Sequence, residues 1–405
     1  ELKRRLKGRS RDILEAGEDM RKRLHDESLP LEERAKLSLP FFDYKVMFSD
    51  VFDKDNPGFD IVIGNPPYGA KLDGDDKKVV TQFYQTTKTI KDVQKGSMDS
   101  YTLFIELAYW LLHKNAFMAY IVPISLTSSD SLSGVHKLLL DNCRGIKISS
   151  YAVRPKPVFK NAVVNTSILM FQKTGTPCKQ LLATKMNRRG GDFDLQYLID
   201  NLQFVDVLDM IKFGRIPKIG MQIERDILRK LQPFDKIASY VVKSNGGLIV
   251  YRFAGGRYFK VVTNYYNGSS AERGLHLIEK YSNAIGCILS SNLSFWYYQI
   301  YSDNLNWKDC EITSFPIPRL TDEQIVHLNA LYDEYLHDIE SNAKIREVSE
   351  GSNYRVGQFK EYKIVKSKPI IDRIDDYICP LYGLTDEERD FIKNYELEFR
   401  MAGDD

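Results

Sequence analysis

The sequence predicts an α/β protein in which a partial Rossmann-like, doubly wound sheet is followed by an α+β region and C-terminal helices. Strand-like and helical segments alternate from Phe41 to about residue 175, an order typical of such a sheet. Residues 236–320 are rich in Tyr, Gly, Asn and Ser and contain many short strand-like runs. From Thr321 onward, apolar residues recur at helical spacing among charged ones, which predicts helices.

Each predicted segment rests on a change of pattern along the chain. The break Thr174-Gly175-Thr176-Pro177 is taken as the end of the alternating region. The segments are a charged helical segment (1–40), the alternating α/β region (41–175), a connection with helical signal (176–235), the α+β region (236–320) and the helical C-terminal region (321–405).

Within the α/β region, the apolar run Phe59–Gly64 is typical of a buried parallel strand. Pro123 stops a later strand, and an amphipathic helix follows it. The predicted elements are strands at 44–47, 59–64, 117–122, 146–152 and 163–171, and helices at 101–112 and 131–141.

Composition excludes several classes of protein. The chain has 405 residues, and 57 basic residues against 55 acidic ones give a net charge of only +2, so composition alone does not indicate nucleic-acid binding. The five cysteines stand far apart, without the close pairs of a zinc or redox site, and no metal is expected. No secretory signal is evident, and the longest apolar stretch is broken by His113-Lys114-Asn115 and Pro123. These features predict a cytosolic protein.

The passage that indicates chemistry is Asn65-Pro66-Pro67-Tyr68, which directly follows the strand Phe59–Gly64. Ligands of open α/β sheets bind beyond the carboxyl ends of strands, where this turn must lie. Two prolines fix the turn because they restrict their own φ angles and the residues before them. The Asn65 side chain and the Pro66 carbonyl offer two acceptors for one amino group, and Tyr68 offers a flat face for a base.

Two acceptors and a stacking ring suit an adenine extruded from a DNA helix. The exocyclic amino nitrogen of adenine is conjugated with the ring and weakly nucleophilic, and acceptors that hold both hydrogens expose its lone pair. No strong general base is then needed. The alternative is that the four residues are a loop with a surface aromatic.

This passage resembles motif IV of the amino-group DNA methyltransferases, in the motif order of the γ class and of type IIG restriction-modification enzymes. The resemblance implies transfer of a methyl group from S-adenosylmethionine to adenine in double-stranded DNA. Asp50, in Phe48-Ser49-Asp50-Val51-Phe52, is similar to the motif III aspartate that contacts the adenine of the cofactor; the alternative is an ordinary turn residue. Phe159, before a predicted strand, is similar to the motif VIII aromatic that stacks on the other face of the flipped base; the alternative is core packing.

The sequence departs from the family in one respect. No Gly-x-Gly occurs in the chain, so the Gly-rich turn of a cofactor-binding half is missing. The resemblance therefore implies that residues 1–40 are a helical insertion before motif III. It also implies that the cofactor-binding half, with the nuclease domain usual in type IIG enzymes, precedes them. Binding of S-adenosylmethionine by this chain alone therefore does not follow from the resemblance.

The α+β region interleaves aromatic, cationic and amide residues on predicted loops, which suits contact with DNA grooves and phosphates. Its final part, Ile285–Pro318, resembles the closing segment of the TaqI-like specificity domain. The candidate DNA contacts in this region are Arg252, Arg257, Lys260 and Asn264. Arg188 and Arg189, beside Gly190-Gly191 in the connection before it, are a further loop candidate for phosphate contact.

Two other functions remain open from the sequence. A catalytically incomplete DNA-recognition subunit or fragment would also lack the Gly-rich turn. A protein glutamine methyltransferase shares the Asn-Pro-Pro-Tyr turn because it too presents a planar amide. Such enzymes are smaller and have no recognition region, so the long chain beyond Gly175 counts against this alternative.

Overall fold

A computed structural model describes residues 44–69, 72, 74–159, 163–190, 195–212, 214–254, 260–347 and 358–401. The predicted helical segment 1–40 lies outside these residues. The strands are β1 (Phe59–Gly64), β2 (Leu112–Pro123), β3 (Cys143–Tyr151), β4 (Thr166–Lys173), β5 (Leu181–Asn187), β6 (Val205–Asp206), β7 (Asp235–Lys236), β8 (Gly247–Arg252), β9 (Val262–Thr263), β10 (Glu272–Leu277), β11 (Pro316–Ile317), β12 (Ala343–Glu347) and β13 (Gln358–Tyr362).

The α-helices alternate with the first strands and then dominate the C-terminal part. They are α1 (Tyr44–Met47), α2 (Ser49–Phe52), α3 (Gly74–Phe83), α4 (Ser100–Leu111), α5 (Ser125–Ser128), α6 (Ser133–Asn142), α7 (Leu195–Asp200), α8 (Gln222–Leu231), α9 (Glu279–Leu289), α10 (Asn292–Tyr301), α11 (Asp309–Thr313), α12 (Asp322–Ser341), α13 (Lys368–Leu381), α14 (Asp386–Asn394) and α15 (Leu397–Met401). Among the described residues, none of these helices is both long and apolar enough to cross a membrane.

A six-stranded mixed sheet in the order β1-β2-β4-β3-β5-β6 forms the first unit, residues 44–206 of the described chain. Strand β1 pairs in parallel with β2, and β3 pairs in parallel with β5, whereas β4 runs antiparallel to both of its neighbours. The strands β1, β2, β3 and β5 therefore point the same way, and their carboxyl ends lie along one edge. Chain segments that leave those ends meet at this edge.

Among the described residues, helices pack on one face of this sheet at the β1 end. Met118 and Phe171 share the face on which α4 and α6 pack, and both are buried. On the opposite face, Ile61, Ile63, Phe117 and Met170 are all exposed, and Ile63 is 78% exposed. An apolar face of this kind normally marks an interaction surface.

The second unit, described residues from 222 onward, combines small sheets with helices. Strands β8, β9 and β10 form an antiparallel sheet against which α9 packs, while α9 also packs on α12. Every residue of α10 is buried, which makes this helix the centre of the unit. The fold class thus agrees with the sequence prediction, including the C-terminal helices, to which the structure adds the hairpin of β12 and β13.

Two sequence predictions about the first unit were wrong. The segment 44–47 is helix α1 instead of a strand, and Tyr44 stacks on Phe48 one turn later with ring centroids 6.4 Å apart. Four residues are too few to distinguish strand from helix by periodicity. The break at 174–177 does not end the sheet, since β5 and β6 extend it. It is a turn in which the backbone N–H groups of Thr174 and Gly175 donate to the Asn142 carbonyl.

Candidate active site

The turn Asn65–Tyr68 leaves the carboxyl end of β1, as the sequence predicted. Pro66 is buried and Tyr68 half-buried, whereas Asn65 is exposed. No hydrogen bond engages the Asn65 side chain within the part of the chain that the structure describes. Its amide oxygen is therefore available to a molecule that approaches the sheet edge.

Two hydrogen bonds fix this turn to the body of the sheet. The Ser100 hydroxyl, at the first residue of α4, donates to the Pro67 carbonyl at 2.6 Å. The Tyr68 hydroxyl donates to the Ile121 carbonyl of β2 at 3.0 Å. Pro66 and Pro67 restrict the backbone between the end of β1 and these anchors, so Asn65 is held in one place.

The Tyr68 ring lies against the core with its hydroxyl turned inward. It meets Tyr101 edge-on, with ring centroids 6.5 Å apart and planes 77° apart. Burial raises the pKa of Tyr68 to about 12, so the phenol stays neutral near pH 7. A neutral, fixed ring suits stacking on a planar ligand and does not suit acid–base chemistry.

Phe159 lies between β3 and β4 on the same edge of the sheet, in a loop whose described residues are 152–159 and 163–165. Phe159 is half-buried. The loop returns to β2, because the backbone N–H of Ile124 donates to the Asn165 carbonyl at 2.9 Å. The structure therefore places the Phe159 loop and the Asn65 turn at the same edge of the sheet.

Asp50 lies away from this edge. It is exposed on α2, and the carbonyl of its neighbour Val51 accepts a bond from the Gly58 N–H just before β1 begins. Phe52, at the end of α2, packs edge-on against Phe59 at the start of β1, with centroids 5.4 Å apart. The cofactor role predicted for Asp50 stays a prediction, and the described residues place it at the end of β1 opposite to Asn65.

Arg188 follows β5 on the candidate edge but turns inward. Its side chain is only 6% exposed, and Nε donates to a Glu396 carboxylate oxygen at 2.7 Å. Another guanidinium nitrogen donates to Oε1 of Gln299 at 3.0 Å. This placement does not support the predicted phosphate contact by Arg188. Arg189 is half-buried, and its backbone bridges to Lys156, so its predicted contact remains untested.

Two of the DNA candidates in the second unit, Arg252 and Lys260, line one cavity of about 350 Å³ between the β8 sheet and the C-terminal hairpin. Lys260 is buried with its ammonium 4.0 Å from the Tyr298 ring centroid, and burial lowers its pKa to about 7. Such a buried amine is poorly placed for a phosphate. Asn264 is half-buried, and its Nδ2 lies 3.4 Å from Oδ1 of Asn283. Arg257 lies outside the described residues.

Sequence reasoning missed Ser100 and Asn165, whose side chains fix the two loops of the site. Ser100 sits at a helix start, which is a common place for serine, and that pattern alone does not reveal a bond to Pro67. Asn165 bonds to Asp303 across 138 residues. A pair so distant in sequence gives no local signal.

Comparisons with known proteins connect this arrangement to a family. A model of the Eco57I restriction-modification methylases matches residues 7–159. RM.Eco57I of Escherichia coli, a type II restriction enzyme and methyltransferase, is 30% identical over 202 residues, which are 48% of this chain and 19% of that protein. The chain therefore spans about a fifth of the length of this relative.

Solved structures of restriction-modification enzymes align over more of the chain. The type IIL enzyme MmeI in complex with DNA aligns with 84% of this chain and 57% of its own, at 11% identity and a TM-score of 0.45. The DNA-bound type ISP enzyme LlaBIII aligns with 91% of this chain and 39% of its own, at 11% identity and a TM-score of 0.36. In the segment that contains the Asn65–Tyr68 turn and Phe159, the chain is thus similar to the Eco57I restriction-modification methylases.

Proposed function

We propose that this chain carries the target-base site of a DNA adenine methyltransferase of the restriction-modification type. The enzyme transfers a methyl group to the exocyclic amino nitrogen of an adenine flipped out of double-stranded DNA. The observation that carries this proposal is the exposed, unengaged Asn65 on a turn clamped at the carboxyl edge of the sheet. The family match over residues 7–159 supports it.

In this proposal the protein acts by holding the base. The Asn65 amide oxygen and the Pro66 carbonyl accept the two amino hydrogens, so the nitrogen lone pair is freed from conjugation. Tyr68 stacks on one face of the adenine, and Phe159 stacks on the other. Tyr68 is neutral near pH 7, and burial raises its pKa further, to about 12, so it does not serve as a general base, and these residues act by orienting the amino group.

S-adenosylmethionine is the methyl donor that we propose, on the strength of the family match. The described residues do not by themselves fit this cofactor, since Asp50 lies at the far end of β1 and the sequence has no Gly-x-Gly turn. The exposed apolar face around Ile63 would pack against further polypeptide of the same enzyme. We propose that this polypeptide supplies the cofactor site and that a nuclease domain accompanies it.

The second unit is our candidate for DNA recognition, with the TaqI-like character that the sequence indicates at Ile285–Pro318. Arg252, Arg257 and Asn264 remain its proposed contacts, and Arg189 remains a proposed contact of the first unit. Such an enzyme would work in the cytoplasm, where the DNA lies.

The test uses the natural full-length protein, tritium-labelled S-adenosylmethionine and DNA that contains many candidate sites. We expect label in adenine with the wild type and a loss of at least a hundredfold with Asn65→Ala, because one of the two acceptors is removed. DNA affinity should change little. The matched control is Asn267→Ala, which alters an amide of the second unit away from the sheet edge.

The outcomes separate the alternatives. Label in cytosine, or in adenine regardless of Asn65, would contradict the proposed site. Label in a glutamine of a partner protein would favour the glutamine methyltransferase. If the full-length protein binds DNA specifically but transfers no label, a catalytically inactive recognition subunit would be favoured.

A further inference from the structure

The stem of the Phe159 loop is tied to the second unit by buried polar side chains. The stem comprises Val153 and Arg154 on one side and Asn165 on the other, where the loop joins β3 and β4. Val153 and Asn165 are both buried. Polar bonds at this depth are shielded from water, so losing one partner leaves the other unsatisfied.

Asn165 bridges the stem and the end of α10. Its Oδ1 accepts from the Val153 N–H at 2.7 Å, which closes the loop at its base. Its Nδ2 donates to the Asp303 carbonyl, also at 2.7 Å, just after α10 ends. The Asn165 amide thus accepts a hydrogen bond from the loop stem and donates one to the second unit.

Arg188 makes a second link of the same kind. One guanidinium nitrogen lies 3.5 Å from the Arg154 carbonyl of the stem. The others bond to Gln299 on α10 and to Glu396 in the C-terminal part. Both links reach the same buried helix, which lies at the centre of the second unit.

We propose that Asn165 and Arg188 are positioning residues that set the Phe159 loop from the second unit, so that base stacking depends on their bonds to the Asp303 carbonyl and to Gln299. The inference rests on the proposed function, since it assigns the loop to a flipped base. It also gives Arg188 a different role from a phosphate contact. The partner groups at the end of α10 are Gln299 and the Asp303 carbonyl.

The variants remove the links with little change of volume. Asn165→Asp keeps the acceptor for Val153 and removes the donor to Asp303. Gln299→Met removes the acceptor for Arg188 and leaves the Arg188–Glu396 ion pair in place. The matched control is Lys218→Met. Lys218 is also buried and donates to the Ile300 and Ser302 carbonyls at the end of α10, without contacting the loop stem.

The experiment uses the natural full-length protein and two DNA duplexes. One has 2-aminopurine at the target position, where its fluorescence reports unstacking, and the other has adenine there, so that kcat for methylation can be measured. Phe159→Ala serves as the reference for a lost stacking ring. We expect both link variants to shift the fluorescence in the direction of Phe159→Ala and to lower kcat at least tenfold, with DNA affinity within threefold of the wild type. Lys218→Met should follow the wild type.

Three results would overturn the inference. Link variants that keep wild-type fluorescence and kcat, while Phe159→Ala loses both, would show that the loop does not depend on α10. A decrease of about one in the salt slope of DNA binding with Arg188→Met would make Arg188 a phosphate contact. If the Asn165→Asp variant does not fold, the Gln299→Met variant alone provides the test, because it leaves the hydrogen bonds of the loop stem intact. A wild-type protein that methylates no adenine would refute the proposed function itself, and the coupling with it.

Discussion

At the scale of single residues, the ring and the hydroxyl of Tyr68 have separate proposed roles. In the proposed function its ring stacks on the base, while its hydroxyl bonds to the Ile121 carbonyl. We expect Tyr68→Phe to lose less activity than Tyr68→Ala, because it loses one anchor of the turn and keeps the ring. Tyr68→Ala should lower kcat/KM about ten- to a hundredfold, since base stacking on an aromatic ring contributes about 1–3 kcal/mol.

Steady-state methylation of a defined DNA duplex measures this difference. Tyr101→Phe, which removes a nearby hydroxyl bonded to Ser125 and leaves Tyr68 in place, is the control. Equal losses for Tyr68→Phe and Tyr68→Ala would mean that the hydroxyl matters and the ring does not.

Ser100 offers a second test at the same scale. Its hydroxyl fixes the Pro67 carbonyl, and a hydrogen bond of this kind contributes about 1 kcal/mol. We expect Ser100→Ala to lower kcat on the order of tenfold while KM for DNA stays the same, because the turn loosens without losing a substrate contact.

The control for Ser100 is Ser290→Ala, which removes a buried hydroxyl that bonds to the Gly286 carbonyl inside α9. It should leave kcat unchanged. A rise in KM with kcat unaffected in Ser100→Ala would assign Ser100 to binding and refute the clamp.

The residues of the site differ in how far sequence alone could predict them. Asn65, Pro66 and Tyr68 are contiguous, so their chemistry was visible before their positions were known. The inward orientation of the Arg188 side chain was not predictable, because its carboxylate partner, Glu396, lies 208 residues away in the sequence. An arginine near a Gly-rich loop suits DNA contact until such a distant partner is known.

At the scale of elements, His136 makes the packing of α6 on α5 sensitive to acid. Its Nε2 donates to the Leu126 carbonyl at 2.6 Å, and burial lowers its pKa from about 6.5 to about 4. The unfolded chain therefore binds a proton more readily than the folded chain between these values. Stability is full above about pH 6.5 and falls as the pH drops toward 4.

We expect the free energy of unfolding to fall by about 2 kcal/mol more between pH 7 and pH 5 in the wild type than in His136→Gln. Urea unfolding at the two pH values measures this difference. His113→Gln is the control. Because a hydrogen bond to Asp60 raises the pKa of His113, this substitution should change the pH dependence of stability in the opposite direction. An identical pH dependence in the wild type and His136→Gln would refute the prediction.

Element types in the α/β region were predictable because strands and helices there are long and strongly patterned. The strand β1 and the helices α4 and α6 lie close to their predicted positions. The end of the sheet was not predictable, since a turn of Gly and Pro between two strands has the same composition as a domain linker.

At the scale of the whole molecule, the exposed apolar sheet face around Ile63 leads to a prediction about assembly. We expect Ile63→Lys to reduce self-association of this chain when it is made alone, because a charge breaks the apolar face. In the natural full-length protein the same change should abolish methylation, because it would bury an unpaired charge.

Light scattering and the methylation assay measure the two effects. The matched control is Ile345→Lys on the hairpin strand β12, where the side chain is 69% exposed. It should change neither property. Full activity of the Ile63→Lys enzyme would show that no polypeptide covers this face.

The buried links between the Phe159 loop and α10 also bear on engineering. Grafting a foreign specificity unit onto this catalytic sheet would sever Asn165 from the Asp303 carbonyl and Arg188 from Gln299. A hybrid would then bind its new target yet methylate it slowly. Donor chains that retain an acceptor at both positions should yield the active chimeras.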